Sequence, residues 1–390
     1  MSRVSVEELN TEQPRTAEEL AETLACAAGQ QKTIELGGNF TKRSGAGPAG
    51  PGDVTISTSR LNRILAYEPR DLTISVEAGI TYAELTRALT PNRQMIPLDP
   101  PYSEKATIGG IVASNSSGPR RRLYGSARDM VIGMKFATLE GKLVQSGGMV
   151  VKNVAGLDMG KLMIGSWGTL AALASVNFKL QPIPAVERTL LLPVESPAAA
   201  FSIRDQMIQG VLQPSAIDFL NLRAASDLGY KQALLALEFG GNEGVIARSR
   251  RETAQWGQVI EPSTEESLVF WSRVRNFTPK YLQKFAGAVV LRISSTLSSL
   301  REVVESLEGP VIARAGSGVV YAYFSLAKTA AKWIADHPKW TTVIEYAPVA
   351  DKKSLTLWPS PGSDIEIMKR VKNMFDPRNL LNRGRYYSLF

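Results

Sequence analysis

Cys26 is the only cysteine and His337 the only histidine in this chain of 390 residues. No internal disulfide can form, and two such residues cannot supply a zinc site, which takes four protein ligands or three plus water. Whatever the chain folds into must therefore be held by apolar burial. The means are present: 44% of the residues are hydrophobic, and a chain of this size buries roughly three quarters of its unfolded surface. On a prior of about 150 residues per domain, the length suggests two or three structural units. A lone cysteine also fits a reducing compartment, so a cytoplasmic location is expected.

The same scarcity restricts chemistry. Ser-His-Asp and Cys-His catalysis would both have to use His337, which lies in Ala335-Asp336-His337-Pro338, a helix-ending context that reads as a surface histidine. Chemistry must then come largely from a cofactor or a partner. The net charge of +8, from 45 Lys+Arg against 37 Asp+Glu, suits phosphate-bearing ligands, nucleic acid or an anionic membrane face. Its one compact cluster is Arg120-Arg121-Arg122, readable as an anion site, a partner contact or a solvated loop. No nucleic-acid module or interleaved aromatics accompany the charge, so no nucleic-acid partner is expected. Residues 1–8 carry acids where a signal peptide would be apolar. The longest apolar stretch, residues 162–178, is broken by Gly165, Ser166, Gly168, Thr169, Ser175 and Asn177, so it reads as core and not as a transmembrane segment.

The sequence predicts a capped helix opening at Thr16-Ala17-Glu18-Glu19, strands over 32–36, 54–57 and 72–77, and a second capped helix from Thr81 with Leu85 and Leu89 buried. A hairpin is expected over 131–146 with Glu140-Gly141 in its turn, then a buried strand within 170–180. After Pro182 and Pro184 the texture changes. Strands at 188–194, 216–220, 233–239, 288–293 and 319–324 alternate with helices at 198–209, 243–255 and 297–307, which suggests an antiparallel sheet with helices on one face. A last helix is expected over 363–375.

Two glycine-rich segments lie about 70 residues apart. The first, Gly37-Gly38-Asn39-Phe40-Thr41-Lys42-Arg43-Ser44-Gly45-Ala46-Gly47, follows a strand and offers amides with two cations to a diphosphate. It is neither a Walker loop nor a dinucleotide fingerprint, and a surface turn is an equal reading. The second, Thr107-Ile108-Gly109-Gly110-Ile111-Val112-Ala113-Ser114-Asn115-Ser116-Ser117-Gly118, could form a short capped helix whose glycines permit close backbone approach. Together they suit one elongated ligand with a central diphosphate.

The runs Ala106-Thr107-Ile108-Gly109-Gly110, Ser117-Gly118-Pro119-Arg120-Arg121, Tyr124-Gly125 and Arg128-Asp129-Met130-Val131-Ile132-Gly133 resemble the central signature of FAD-binding domains of the vanillyl-alcohol oxidase/p-cresol methylhydroxylase (PCMH) type. Val151-Lys152-Asn153-Val154-Ala155-Gly156-Leu157-Asp158, Lys161-Leu162-Met163-Ile164-Gly165-Ser166-Trp167-Gly168-Thr169-Leu170 and the ending Phe375-Asp376-Pro377 … Leu381-Asn382-Arg383-Gly384-Arg385 are similar to FAD-binding subunits of bacterial glycolate oxidases. The resemblance implies an α+β fold: a two-subdomain PCMH-type FAD-binding domain over 1–184, an antiparallel-sheet cap domain over 185–343 and a C-terminal segment, 344–390, returning to the first domain. It implies that Gly37, Gly38, Asn39, Phe40, Thr41 and Lys42 form the pyrophosphate loop. Thr107, Gly109 and Gly110 would lie beside the pyrophosphate and ribityl chain, Ser114, Ser117 and Gly118 beside the flavin, and Gly168 to Leu173 beside the adenine half.

The implied activity is oxidation of a small 2-hydroxy acid by hydride transfer to flavin N5, within a complex containing further flavoprotein and iron–sulfur subunits that could hold it peripherally at a membrane. Covalent attachment would need His337 or Cys26, and neither falls on a tether motif, so FAD is expected to be non-covalent. No base is assigned: Lys152 and Tyr124 are conceivable, and supporting roles near the cofactor are their plainer reading. A stand-alone oxidase of a sugar alcohol or lactone is the alternative function. Departures from the family pattern are Asn39-Phe40 within the first loop, Leu157 where a tyrosine is common, the bulky Trp167, and Arg383 in place of a proline.

Overall fold

The computed structural model describes residues 11–47, 51–149 and 158–390. The helix Ala17–Gly29 starts where Thr16 accepts the Glu19 amide, and it buries Leu20 and Leu24. Those two leucines meet Ile34 and Ile56 on one side and Ala137, Ala172 and Ala174 on the other. The helix is thus wedged between two sheets. One is a small parallel sheet in the order Thr11–Glu12, Val54–Ser57, Ile34–Gly37. The other is antiparallel, in the order Ile64–Glu68, Thr73–Glu77, Ala172–Lys179, Val131–Ala137, Leu143–Gly147. Thr81 and Glu84 close a capping box on Tyr82–Leu89, as the sequence predicts. The expected hairpin turns through Gly141 at φ 77°, a conformation glycine adopts without a Cβ penalty.

A seven-stranded antiparallel sheet follows, in the order Val186–Val194, Ala233–Gly241, Ala216–Leu220, Val311–Arg314, Val319–Phe324, Val289–Ser294, Thr341–Tyr346. Strand alternation sorts its residues into two faces. One face, with Leu235, Phe219, Ile293, Ala313 and Val320, packs under the helices Pro197–Gln209, Glu243–Thr253, Leu300–Glu305 and Ala327–Asp336. The opposite face, with Leu234, Val290, Ile312 and Tyr323, also carries helices, Thr264–Arg275 and Phe277–Lys284. These two lay outside the one-face expectation. Leu268 and Val269 are exposed while Phe270, Trp271 and Val274 are buried, so apolar residues on both sides of the helix blur its period.

From Tyr346 the chain returns to its amino-terminal half. Leu381 bridges Ile34 in parallel. Asn382 accepts the Leu36 amide at 2.8 Å and donates to the carbonyls of Leu36 (3.1 Å) and Trp167 (2.9 Å). The helix Ile365–Phe375 is fixed through the buried Lys372 ammonium, which donates to Asp376 and to the Thr169 carbonyl, both at 2.7 Å. Asp376 also accepts the amides of Leu380 and Leu381. Among the described residues no helix is long and apolar enough to cross a membrane.

Removing the Asp376 carboxylate leaves Lys372 buried and two amides unpaired. Asp376→Ala should lower the unfolding free energy by about 3–5 kcal/mol, read from the urea midpoint at unchanged slope. A loss below 1 kcal/mol would show that the carboxyl-terminal segment contributes little to stability.

Candidate functional site

The loop after Ile34–Gly37 has its polar groups sorted. Its carbonyls are taken by the protein: Arg385 donates to those of Arg43 (2.8 Å) and Gly45 (2.7 Å), Lys352 to Ala46 (2.8 Å) and Gly47 (3.2 Å), and the Ser57 hydroxyl to Gly38 (2.9 Å). The amides from Gly38 to Lys42 find no acceptor among the described residues. All five residues line a cleft of about 800 Å³. A run of unpaired amides with a lysine at its end is a site for an anion such as a diphosphate.

The two residues that depart from the family pattern brace this loop. Asn39 donates to the Lys105 carbonyl at 2.9 Å. Phe40 turns back at φ 51° so that its ring lies over Gly37, where a Cβ would stand 2.6 Å from it. A Cβ on Gly38 would sit 2.1 Å from the Thr107 hydroxyl oxygen. Glycine at position 38 is therefore what lets the two glycine-rich segments meet.

In the second segment Thr107 caps the helix Ile108–Ala113. The Gly109 amide goes to the Ala78 carbonyl at 2.6 Å and the Gly110 amide faces the Thr107 hydroxyl at 3.4 Å. These two amides are occupied within the protein, so what the glycines give the cleft is room: a Cβ on Gly109 would lie 2.9 Å from that of Ala78. Gly168, at φ 69°, and Leu173 line the far part of the same cleft with Ala171.

The cleft opens into a wider chamber of about 1490 Å³, and Lys42, Ser114 and Trp167 line both. Ser114 accepts the Lys42 ammonium at 2.6 Å and donates to the Gly110 carbonyl at 2.7 Å. Burial pushes Lys42 down to about 8, against the pull of the Glu345 carboxylate. Ser117 and Gly118 line the chamber only. Its other wall is the seven-stranded sheet, which contributes Arg292, Arg314, Tyr321, Tyr323, Glu345 and Tyr346.

The three consecutive arginines do three different things. Arg120 makes a two-pronged ion pair with buried Asp99, at 2.6 and 2.9 Å, which holds that carboxyl at about 2 despite its burial. Arg121 lines the chamber and donates to Ser117 at 3.2 Å. Arg122 reaches the Pro214 carbonyl at 2.9 Å, joining this segment to the cap sheet. None is a merely solvated side chain.

The fourteen residues expected at the cofactor thus fall along two connected spaces: all but Ser117 and Gly118 line the cleft, and those two line the chamber. Lys152 and Leu157 lie outside the described residues, and Tyr124 lines neither space. Sequence reasoning missed Asn382, Arg385 and Lys352, although the first two stand in the quoted closing motif. It also missed the chamber's cap residues. Their signal was a charged residue at an inward position of an apolar strand, as Arg292 is in Val289–Ser294.

Residues 11–147 match the family described as FAD binding domain, and residues 351–386 the family described as FAD linked oxidases, C-terminal domain. The chain is 24% identical over 419 residues to glycolate oxidase subunit GlcD of Bacillus subtilis (strain 168), covering 96% of this chain and 88% of that one. It is 35% identical over 215 residues to glycolate oxidase subunit GlcE of Escherichia coli (strain K12), covering 54% of this chain and 57% of that protein. The structure of p-cresol methylhydroxylase with substrate bound superposes at a TM-score of 0.75 with 14% identity, over 97% of this chain and 88% of that one. This last likeness establishes the fold.

Lys42 links the two spaces electrostatically. Its side-chain nitrogen should titrate near pH 8, with the ammonium form below that value. Because the Glu345 carboxylate raises Lys42, Glu345→Gln should move the midpoint lower still, as read by NMR on lysine Nζ. A midpoint at the ordinary value near 10.4 would contradict the burial of this side chain.

Proposed function

We propose that this chain, with its matches to an FAD binding domain and to the C-terminal domain of FAD linked oxidases, is the FAD-binding subunit of an enzyme complex that oxidises a small 2-hydroxy acid. The observation that carries this reading is the junction at Lys42, Ser114 and Trp167, where an amide-lined cleft meets a cation-lined chamber. The free amides of residues 38–42 would hold the diphosphate. Apolar Leu36, Ile111, Ala171 and Leu173 shape the rest of the cleft. A Cβ at Gly38 would fill the cradle, so the residues present fit FAD. FAD, when bound, supplies the two-electron acceptor for oxidation of an alcohol carbon.

The protein's own groups orient the substrate. Lys42, Arg121, Arg275, Arg292 and Arg314 outnumber Asp99 and Glu345 in the chamber lining. The Arg292 side chain has no hydrogen bond or ion pair among the described residues. A guanidinium without a partner is suited to two-pronged binding of a carboxylate. The proposal keeps FAD non-covalent: Cys26 and His337 line neither space, and His337 is engaged in a ring cluster with Trp333 and Trp340. Two relatives named as glycolate oxidase subunits support membership of a complex, here proposed to include flavoprotein and iron–sulfur partners and to sit on the inner face of a membrane through them. The domain limits at 184 and 343 are retained as part of this reading.

The test is flavin loading followed by anaerobic reduction. The full chain, with whatever partners co-purify, should bind FAD that acid releases, and its 450 nm band should bleach with glycolate, lactate or 2-hydroxyglutarate. Bleaching by sugar alcohols or lactones instead would favour the stand-alone oxidase. Gly38→Ala should weaken FAD binding at least tenfold in a fluorescence titration, because the new methyl must displace Thr107. An unchanged affinity would remove the loop from the cofactor site.

A further inference from the structure

Oxidising an alcohol carbon requires a group to take the hydroxyl proton, and no histidine lines the chamber. We propose that Glu345 is that group, an assignment that rests on the 2-hydroxy acid reading above. The first observation is local backbone geometry. In the pairing of Thr341–Tyr346 with Val289–Ser294, Tyr346 stands opposite Val290 and Ile344 opposite Leu291, leaving Glu345 as the extra residue of a β-bulge. Without the bulge, Ile344 and Tyr346 would share a face. With it, Ile344 points into the helix-covered core and Tyr346 into the opposite cluster. Glu345 and Tyr346, consecutive in sequence, both line the chamber. Re-aiming a side chain in this way is a recurrent use of bulges beside sites. The bulge is held from the other side, where Ala46 of the glycine-rich loop donates to the Glu345 carbonyl at 3.1 Å.

The second observation is that this carboxylate is uncommitted. The Glu345 side chain makes no hydrogen bond or ion pair among the described residues, and its Oε2 is fully buried. Asp99, the other carboxylate of the lining, is paired with Arg120. Asp218, behind the wall, is paired with Arg314. The remaining candidates are on the donor side at neutral pH. Lys42 carries its proton below about 8, and burial pushes the hydroxyls of Tyr321, Tyr323 and Tyr346 upward. Tyr346, the next residue in the chain, also lines the chamber, and its buried hydroxyl has no hydrogen-bond partner among the described residues, so it is available as a donor for a substrate oxygen.

The step balances. The substrate C–H hydrogen would leave with its bonding pair, as hydride, to the flavin acceptor, the hydroxyl proton would pass to the Glu345 carboxylate, and the carbon–oxygen bond would become a carbonyl as the carboxylate becomes a carboxylic acid. The groups facing Glu345 are Arg292 on the neighbouring strand, Lys42 on the loop and Arg314 across the sheet, all favouring its anion, while burial dominates and raises it. The active base form therefore accumulates as pH rises, with an acid limb above the ordinary glutamate value of about 4.3.

The experiment uses the FAD-loaded full chain with its co-purifying partners. Wild type should bleach with a 2-hydroxy acid and Glu345→Gln should do so roughly 10²–10⁴ times more slowly, while Glu345→Asp recovers part of the rate and keeps an acid limb. Oxalate, measured by calorimetry, supplies a readout independent of turnover. Its affinity in wild type should fall as pH rises through the Glu345 titration, because the carboxylate repels the anion, and this slope should vanish in Glu345→Gln. Equal bleaching rates with equal slopes in the two proteins overturn the assignment and leave the substrate reading standing. A wild type that bleaches with none of the three acids overturns both. Should Glu345→Gln fail to retain FAD, Glu345→Asp carries the test: a rate and acid limb identical to wild type overturn the proposal.

Discussion

A loop can offer its amides to an anion only if its carbonyls are turned elsewhere and held there. In this protein that is the work of residues more than 300 positions away. Arg385 and Lys352 take the oxygens of the segment from Arg43 to Gly47, and Asn382 locks the strand that leads into it. Both cations are buried to do so, and burial pushes Lys352 down to about 8. Multiple carbonyl bonds to one charged group offset much of that desolvation. The carboxyl-terminal segment is therefore a part of the anion cradle, which accounts for its return across the whole chain to Ile34.

The same division of labour governs the seven-stranded sheet. One face is apolar and buries its helices. The other carries Asp218 directly opposite Arg314, with Tyr321 opposite Arg292. Charged residues on this face are tolerable because the amino-terminal half covers them and answers them with groups of its own. Arg122 crosses to Pro214, and the Tyr102 amide donates to the Asn276 side-chain oxygen at 2.9 Å. The chamber is what remains between two surfaces that are each incompletely satisfied alone.

Much of this was legible before any coordinates. Capped helices announced themselves through Thr16 and Thr81, strands through β-branched runs such as Val54–Ser57, and the cleft through its two glycine-rich segments. The limits of legibility have identifiable causes. Gly109 and Gly110 were expected beside the ligand, but whether their amides are free depends on Ala78 and Thr107, which only the fold brings near. Thr264–Arg275 was hidden because Leu268 and Val269 put apolar residues on its exposed side as well, next to the buried Phe270, Trp271 and Val274. Glu345 was invisible because a bulge, a matter of register between strands some 50 residues apart, decides where it points.

The scarcity of histidine acquires a physical meaning in the chamber. Apart from Lys42, every cation lining it is an arginine, and arginine holds its charge across the whole physiological range. The tyrosines are pushed upward by burial, and Asp99 is held at about 2 by its arginine. The positive field that would hold a carboxylate substrate is thus fixed. Burial raises Glu345 and lowers Lys42, and each is partly restored by the other's charge. Substrate binding and proton transfer are in this way assigned to different residue types, and pH can act on the second without dismantling the first.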